Sequence, residues 1–131
     1  MDIRKARLSD LHNIQYYLDK YLRKDWFDCT DRLRSFLKHW QCFVAEDNNE
    51  IVGFAVVETN GVMIRLLIRP DYRGRGIGQQ LLEASNPSII RSKTDQSTGD
   101  PTSFYAKNHY IPVGAKIGRK KNIQLMVKAN E

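Results

Sequence analysis

Residues 42–68 constrain the fold of this chain more than any other segment. The segment reads CFVAEDNNEIVGFAVVETNGVMIRLLI and is rich in β-branched and aromatic residues, with only two polar interruptions. These interruptions, at 47–49 and 59–61, consist of residues that close tight turns, because they tolerate positive φ or bond to local backbone. The segment therefore predicts three antiparallel strands at 42–46, 50–58 and 62–68. Gly53, inside the second strand, indicates a bulge or a close backbone approach.

Two amphipathic helices are predicted before these strands. Apolar residues recur in each helix at spacings of three and four, as expected for one buried face. The first face consists of Leu11, Ile14, Leu18, Tyr21 and Leu22, and it follows Ser9 as the predicted N-cap. The second face consists of Leu33, Phe36, Leu37 and Trp40, and it follows Asp28 or Thr30 as the N-cap. A weakly alternating first strand at residues 1–6 precedes both helices.

The rest of the chain alternates between helix and strand. A helix that starts near Ile77 ends before Pro87, and SIIRSK at 88–93 predicts a strand. A polar loop at 94–100 leads into a helix from Thr102 to Asn108. Strands at 111–117 and 123–128 complete the pattern. The order βααβββαβαββ predicts a single α+β domain over residues 1–131, a mixed sheet with helices on its faces.

Composition and charge limit the function classes. The chain has 131 residues, a formal net charge of +6 and a sequence pI of about 9.4, which favours anionic partners. Cys29 and Cys42 form neither a C-x-x-C pair nor a set with histidines, so a metal site is not predicted. The charged start lacks the apolar region of a signal peptide, and no apolar run approaches the roughly 18 residues of a membrane span. These features predict a cytoplasmic protein with free thiols and no membrane contact.

The segment RPDYRGRGIG, Arg69 to Gly78, joins an apolar strand to an apolar helix. Its glycine spacing does not match a P-loop, and the third glycine is one residue early for a dinucleotide fingerprint. A disordered arginine/glycine RNA tract is disfavoured because the surroundings are apolar. In the remaining interpretation, the glycines remove Cβ atoms that would block a ligand. Unpaired amides at the helix start, with Arg73 and Arg75, then form an anion site suited to a pyrophosphate.

Residues Ile68 to Gly78 resemble the pyrophosphate loop of the GNAT N-acyltransferase superfamily, V-x-P-x-x-R-G-x-G-x-G. CFVAEDNNEIVGFAVV resembles the central hairpin of that superfamily, and SFYAKNHY resembles its F-Y-x-K-x-G-F segment. The element order also matches, so the resemblance covers essentially the whole chain. It implies a mostly antiparallel sheet that splays after the fourth strand, with helices on both faces.

The resemblance implies transfer of an acetyl group from acetyl-CoA to an amine, by direct attack in a ternary complex. The pantetheine arm would pair with the backbone of strand 66–68, and a bulge there would splay this strand from strand 88–93. The N–H of Leu66 would polarise the thioester carbonyl. The implied donor-binding residues are Leu66, Leu67, Ile68, Arg73, Gly74, Arg75, Gly76, Ile77, Gly78 and Gln79.

The resemblance also implies a general acid, Tyr105, which would donate a proton to the departing thiolate. No carboxylate lies in strand 62–68, where many superfamily members have a general base. Glu58 on the neighbouring strand is a weak candidate base, and water or an amine that arrives neutral would replace it. His109 and Thr98 stand where the superfamily commonly has Gly and Asn. We therefore expect the helix to end one residue early, with Asn108 taking positive φ.

Three function classes remain open from sequence. The first is an acetyl-CoA-dependent N-acetyltransferase, monomeric or homodimeric. The second is a catalytically weak acyl-CoA-binding module or sensor, and a small basic nucleic-acid-binding protein is the least favoured. The resemblance implies that residues 10–40 and 111–122 line the acceptor site, but neither segment contains a motif that identifies the amine. Trp26, Phe27 and Trp40 would form either an aromatic wall there or part of the core.

Overall fold

The structure, a computed structural model, describes residues 1–21, 30–94 and 99–129. Predictions that concern Leu22, Trp26, Phe27, Asp28, Cys29 and Thr98 therefore lie outside the described residues. The described elements are β1 (Asp2–Lys5), α1 (Leu11–Tyr21), α2 (Thr30–His39), β2 (Gln41–Asp47), β3 (Glu50–Val57), β4 (Val62–Ile68), α3 (Ile77–Ser85), β5 (Ile89–Lys93), α4 (Thr102–Lys107), β6 (Tyr110–Ile117) and β7 (Ile123–Lys128). Their order confirms the predicted βααβββαβαββ arrangement.

The strands form one seven-stranded sheet in the order β1-β2-β3-β4-β5-β7-β6. Neighbouring strands are antiparallel except β4 and β5, which are parallel. The predicted hairpins are present, and Asn48 and Asn49 both adopt positive φ in the first turn, as a tight hairpin requires. The mixed, mostly antiparallel sheet confirms the predicted fold class.

Gly53 lies beside a bulge and also at a close backbone approach, the two alternatives that its position in the sequence indicated. The register of β2 and β3 shifts between Ala45 and Glu46, beside Gly53, which marks a bulge. A Cβ on Gly53 would also lie 2.9 Å from Leu81 Cδ1, so helix α3 packs directly against the backbone here. Glycine at this position lets α3 approach the sheet closely.

Helices cover both faces of the sheet and create two apolar layers. One layer packs α1 and α2 against the sheet through Leu11, Ile14, Tyr17, Leu18, Leu33, Val44, Phe54, Val56 and Leu67. The other packs α3 and α4 against the opposite face through Val52, Ala55, Met63, Ile77, Leu81, Leu82, Ile90, Tyr105, Tyr110 and Met126. Trp40 stacks on Phe36 with ring centroids 4.5 Å apart and packs against the first layer, so it is part of the core.

The prediction that Ser9 caps α1 is wrong. Residues Leu8–Asp10 form a 3₁₀ turn before the helix, and Ser9 is exposed within it. The Asp10 carboxylate accepts a 2.7 Å hydrogen bond from the Arg7 N–H and is held by Arg4 at 2.8 and 2.9 Å. The hydrogen bonds from Arg4 hold the pKa of Asp10 below its usual value. The Asp10 carboxylate, held by Arg4 of β1, therefore caps the start of this turn through the Arg7 N–H, in place of the expected hydroxyl.

The end of α4 also differs from its prediction. Asn108 has φ of −100°, and His109 is the residue in the left-handed region, with φ of 72°. The Asn108 side chain instead donates a 2.9 Å hydrogen bond to the Phe104 carbonyl. This bond holds Asn108 close to the helix, so His109 takes the turn conformation that glycine would otherwise supply. Within the described ranges, no helix has the length and apolarity needed to cross a bilayer.

Candidate active site

A gap between β4 and β5 is the central feature of the site. The two strands pair only at Val62 with Ile89 and at Met63 with Ile90. In the pairing of β4 with β3, Val57 faces Met63 and Val56 faces Arg65, so Ile64 is the extra residue of a bulge. A bulge bends its strand and increases the local twist. The bulge thus coincides with the point where β4 leaves β5, but it lies at Ile64 and not within 66–68 as expected.

The backbone of Leu66 and Ile68 faces this gap. Arg69 donates its N–H to Val52 across β3, and Gly53 pairs with Ile68. In an antiparallel ladder this places Ile68 and Leu66 at positions whose N–H and C=O groups point away from β3. Since β5 has already diverged, these groups line an open strand edge. An extended ligand chain can bond there as an added strand.

A cavity of about 460 Å³ occupies the gap and extends to the start of α3. Its wall contains every predicted donor-binding residue except Arg75, and it also contains Tyr105. The structure therefore brings the strand edge, the glycine loop and the tyrosine together around one space. Glu58 is not part of the wall.

The three loop glycines have two different structural roles. Gly74 and Gly76 have φ of 80° and 81°, and a Cβ on either would meet no protein atom within 4 Å. Their backbone conformation is what requires glycine. A Cβ on Gly78, in contrast, would lie 3.1 Å from Phe104 Cζ. Gly78 therefore also admits the Phe104 ring, a packing role that was not predicted from the sequence.

Helix α3 begins with unpaired amides directed at the cavity. Gly76 is the N-cap, and the Gln80 N–H donates to the Gly76 carbonyl at 3.1 Å. The preceding N–H groups of Ile77, Gly78 and Gln79 have no acceptor within the helix. With the helix dipole, these three donors favour an anion at this point of the cavity wall.

The three arginines of the loop differ in their contacts. Arg69 is held by Asp71 at 2.7 and 2.8 Å and by Glu50 at 2.9 Å. The Arg75 guanidinium lies 4.5 Å from the centroid of the Tyr72 ring, and the Tyr72 hydroxyl donates to Asp47 at 2.8 Å. Arg73 lines the cavity. Within the described part of the chain, neither Arg73 nor Arg75 forms an ion pair with a carboxylate.

Tyr105 is buried in the layer beneath α3 and α4 and has 5% of its surface exposed. Its ring meets the Phe104 ring edge-on, with centroids 5.3 Å apart. Burial raises the pKa of Tyr105 above its usual value, because a phenolate is poorly solvated there. The side chain is thus held at the cavity as a neutral phenol, a form that can donate a proton.

Glu58 and His109 lie outside this arrangement. The Glu58 N–H donates to the Val62 carbonyl at the start of β4. Ala55, three residues before Glu58, pairs with Leu66. The Glu58 backbone therefore lies about 10 Å along the sheet from the level of Leu66. His109 is exposed after the end of α4. Neither side chain contributes to the cavity wall.

Several residues at or beside the cavity were not identified from sequence. Tyr17 of α1 donates a 2.8 Å hydrogen bond to the Leu67 carbonyl, although Tyr17 was not among the residues predicted for the buried face of that helix. Arg65, Arg91 and Lys93 line the cavity. The alternation of charged and neutral residues in IIRSK places Arg91 and Lys93 on one face of β5, and this was the available signal.

A mixed sheet that parts between two parallel strands, beside a glycine-rich helix start, is the arrangement that the resemblance of Ile68 to Gly78 implied. A family model for the acetyltransferase (GNAT) domain matches residues 38–112, more than half of the chain. The chain therefore belongs to the GNAT acetyltransferase family. No curated protein sequence matches it.

Solved structures of similar fold cover almost the whole chain. PaiA N-acetyltransferase from Thermoplasma acidophilum, solved in complex with coenzyme A, has a TM-score of 0.70 at 16% identity over 98% of each chain. Ard1 from Thermoplasma volcanium has a TM-score of 0.74 at 14% identity, over 99% of this chain and 98% of that chain. An aminoglycoside 6'-acetyltransferase type Ii has a TM-score of 0.77 at 19% identity, over 98% of this chain and 97% of that chain. At these identities the likeness shows the fold.

Proposed function

We propose that this protein transfers the acetyl group of acetyl-CoA to an amine. The observation that carries the proposal is that one cavity is bounded by the open backbone edge of Leu66 and Ile68, the amides at the start of α3 and the buried Tyr105. An extended chain ending in a pyrophosphate matches the first two of these features. The match to the GNAT family model supports acetyl-CoA as the donor.

The residues present fit the donor. The N–H groups of Ile77, Gly78 and Gln79, with the Arg73 guanidinium, would hold the pyrophosphate. The backbone groups of Leu66 and Ile68 would bond to the amides of the pantetheine arm. Bound acetyl-CoA supplies the acetyl group as a thioester, which an amine can attack directly.

Two groups of the chain would assist the transfer. The Leu66 N–H, at the open edge, would donate to the thioester oxygen and stabilise the negative charge that develops on it. The Tyr105 hydroxyl would donate a proton to the departing sulfur. A phenol can protonate a thiolate of lower pKa only where it is positioned and partly desolvated, and Tyr105 is buried at the cavity.

The amine must lose a proton before or during its attack. The described part of the cavity wall contains no carboxylate, and the Glu58 backbone lies about 10 Å along the sheet from the level of Leu66. Glu58 therefore remains a weak candidate base that would act through water. An amine that enters in its neutral form needs no base from the protein.

Nitrogen is the favoured acceptor atom. The structural neighbours include an N-acetyltransferase and an aminoglycoside 6'-acetyltransferase, which supports transfer to amines. We also propose that the protein acts in the cytoplasm. The buried thiol of Cys42 is free, and free thiols are typical of a reducing compartment.

Amine-dependent release of coenzyme A thiol tests the proposal. Wild-type protein with acetyl-CoA and a panel of primary amines should release thiol faster than either substrate alone. Tyr105→Phe should lower this turnover while acetyl-CoA binding persists. Tyr16→Phe is the matched control, because Tyr16 is 57% exposed on α1. Turnover unchanged in Tyr105→Phe would remove the acid role.

A donor-binding module without catalysis is the second candidate, favoured by the absence of a carboxylate in the described cavity wall. It predicts saturable acetyl-CoA binding with no thiol release for any amine. Binding and turnover measured on the same sample separate the two functions.

A further inference from the structure

The last three strands of the sheet, β5, β7 and β6, have a face that neither helix layer covers. Ile90 and Met126 pack beneath α3 and α4, and side chains alternate along each strand, so the residues between them share the opposite face. Among the described residues, none on that face belongs to either buried layer. We call this surface the open face, and it consists of Ile89, Arg91, Lys93, Ile123, Leu125, Val127, Ile111, Val113 and Ile117.

Aliphatic side chains make up most of the open face, and they remain in contact with solvent. Ile111, Val113 and Ile117 of β6 have 49%, 40% and 40% of their surface exposed. The apolar residues that lie opposite them on β7, and Ile89 on β5, are partly exposed. A contiguous apolar surface of this kind commonly marks a site of interaction with another molecule.

The open face adjoins the cavity along β5. Arg91 lies opposite Leu125 and Lys93 opposite Ile123 in the antiparallel pairing of β5 with β7, so both cations share the face with these apolar residues. Arg91 and Lys93 also line the cavity. A molecule bound on the open face would therefore reach the cavity wall without leaving the sheet.

The surroundings of the open face are positively charged. Residues 101–130 contain no Asp or Glu but contain six cations, which are Lys107, Lys116, Arg119, Lys120, Lys121 and Lys128. Lys120 and Lys121 are exposed in the turn between β6 and β7, at one end of the face. Within the described part of the chain, neither these two lysines nor the two β5 cations form an ion pair with a carboxylate. A partner that docks here should therefore carry negative charge.

A second copy of this chain does not fit the open face. Two copies packed face to face would place like charges near one another, at a cost in free energy. Pairing along the free edge of β6 is also interrupted. The His109 carbonyl accepts a bond from the Ala129 N–H, and the antiparallel alternation then directs Pro112 away from β7. Proline has no N–H to offer an added strand at that point.

The position and chemistry of the open face favour a polypeptide over other anionic partners. The face lies on the side of the sheet that α1 and α2 cover elsewhere, and a helix is about 10 Å thick, so the face is the floor of a recess. The helices would hold a flat membrane surface above this floor. Single-stranded nucleic acids stack their bases on aromatic rings, and the open face has none. A polypeptide segment can cover the aliphatic residues and place carboxylates beside the cations.

We propose that the amine acceptor is an acidic polypeptide that docks on the open face. Its apolar side chains would pack on the aliphatic residues of β6 and β7, and its carboxylates would lie near Lys120 and Lys121 of the turn and near the two β5 cations. Its amine would enter the cavity past β5. This inference rests on the proposed acetyl transfer and names the class of its acceptor.

Thiol release with matched peptides tests the acceptor class. Each synthetic peptide has one free amine, at its amino terminus, and is as long as a typical strand. The proposed acceptor peptide alternates leucine with glutamate. In the comparison peptides, glutamine or arginine replaces glutamate, or serine replaces leucine. We expect kcat/KM for the leucine–glutamate peptide to exceed that of each comparison peptide by about fivefold or more. Equal or faster reaction of any comparison peptide overturns the proposal.

An apolar substitution shows whether the open face causes this preference. Val113→Gln removes an aliphatic side chain from the face, where it is 40% exposed. Leu8→Gln is the matched control, since Leu8 is 46% exposed outside the open face. Val113→Gln should lower kcat/KM for the leucine–glutamate peptide by about threefold or more and keep its affinity for acetyl-CoA, whereas Leu8→Gln should change neither. Equal effects of the two substitutions on the peptide contradict docking at this face.

A charge substitution tests the same surface without altering a strand. Lys120→Gln/Lys121→Gln removes two charges from the turn, and Lys5→Gln/Lys107→Gln removes two exposed charges on β1 and α4. The turn variant should react more slowly with the leucine–glutamate peptide and equally fast with the leucine–glutamine peptide. The control variant should keep the wild-type preference. Loss of the preference in both variants would assign it to net charge alone and overturn the proposal.

Peptide binding, followed by fluorescence anisotropy with a label at the carboxyl terminus, identifies the occupant of the face. The proposal requires weaker binding of the leucine–glutamate peptide to Val113→Gln than to the wild type. Tighter binding of an oligouridylate than of this peptide overturns the proposal. A wild-type dimer in sedimentation that Val113→Gln dissociates also overturns it. Failure of acetyl-CoA to bind overturns the proposed function instead, and peptide binding is measured without coenzyme A to keep the two failures apart.

Discussion

The Tyr17 hydroxyl donates a 2.8 Å hydrogen bond to the Leu67 carbonyl oxygen, across fifty residues of sequence. Leu67 lies between Leu66 and Ile68, the two residues whose backbone groups face the cavity. Tyr17 is almost fully buried, and burial raises the pKa of its hydroxyl, so the donor stays protonated at any working pH. The bond therefore fixes helix α1 to the strand that would hold the donor.

Loss of this hydrogen bond should cost stability. In Tyr17→Phe the ring still fills its site, so we expect a fall of about 1 kcal/mol in the free energy of unfolding. Urea denaturation measures it as a lower midpoint with an unchanged slope. Tyr16→Phe on the exposed side of α1 should change stability by less than about 0.5 kcal/mol. Equal effects of the two substitutions would show that the buried bond adds nothing.

Gly76 should be needed for its backbone conformation. It has φ of 81° with open space around a Cβ, so Gly76→Ala introduces strain without a clash and should cost about 1 kcal/mol of stability. Gly76→Asn should cost less, because Asn adopts positive φ more readily. Affinity for acetyl-CoA should fall more in Gly76→Ala than in Gly76→Asn, since Gly76 is the N-cap that orients the first amides of α3. Equal stability of the two variants would contradict a conformational role.

The pH dependence of turnover should reveal the state of Tyr105. Because burial raises its pKa above the usual value of 10.0, the proton-donating form persists as the pH rises through 10. We expect no loss of kcat from Tyr105 ionisation below about pH 10, and a loss on the order of 100-fold in Tyr105→Phe across the profile. An alkaline decline near pH 8 that disappears in Tyr105→Phe would contradict the raised pKa.

Glu58 should make only a small contribution. Its backbone lies about 10 Å along the sheet from the level of Leu66, and its side chain does not line the cavity, so it would reach the amine only through water. We expect Glu58→Gln to lower kcat/KM by no more than a few-fold, measured across pH 6 to about 9. Complete removal of the acidic limb of the profile would instead make Glu58 the base.

Local sequence chemistry predicted the fold well because each element has its own signal. The Asn48 and Asn49 turn, the β-branched run of 50–57 and the apolar periods of α1 and α2 all act over a few residues. Asp10 differs because its cap depends on Arg4, a residue of β1 that reaches it only in the folded chain. His109 differs because Asn108 bonds back to Phe104, a choice that local propensity does not decide.

The glycine loop was also predictable from the sequence, whereas the clustering of cations at the cavity was not. Gly74 and Gly76 are recognisable because their spacing matches a known loop. The bulge at Ile64 has no glycine or proline to mark it. Arg65, Arg91 and Lys93 belong to two strands that meet only through the parallel pairing of β4 with β5, so their clustering is a tertiary fact.

Calorimetric titration of acetyl-CoA tests the central claim most directly. The account predicts one binding site on the wild-type protein and a roughly tenfold weaker dissociation constant in Arg73→Gln, which removes one charge from the proposed pyrophosphate site. Arg119→Gln, with the same loss of charge outside the cavity, should bind like the wild type. Absence of binding to the wild type, or equal weakening in both variants, would contradict a donor site in the gap between β4 and β5.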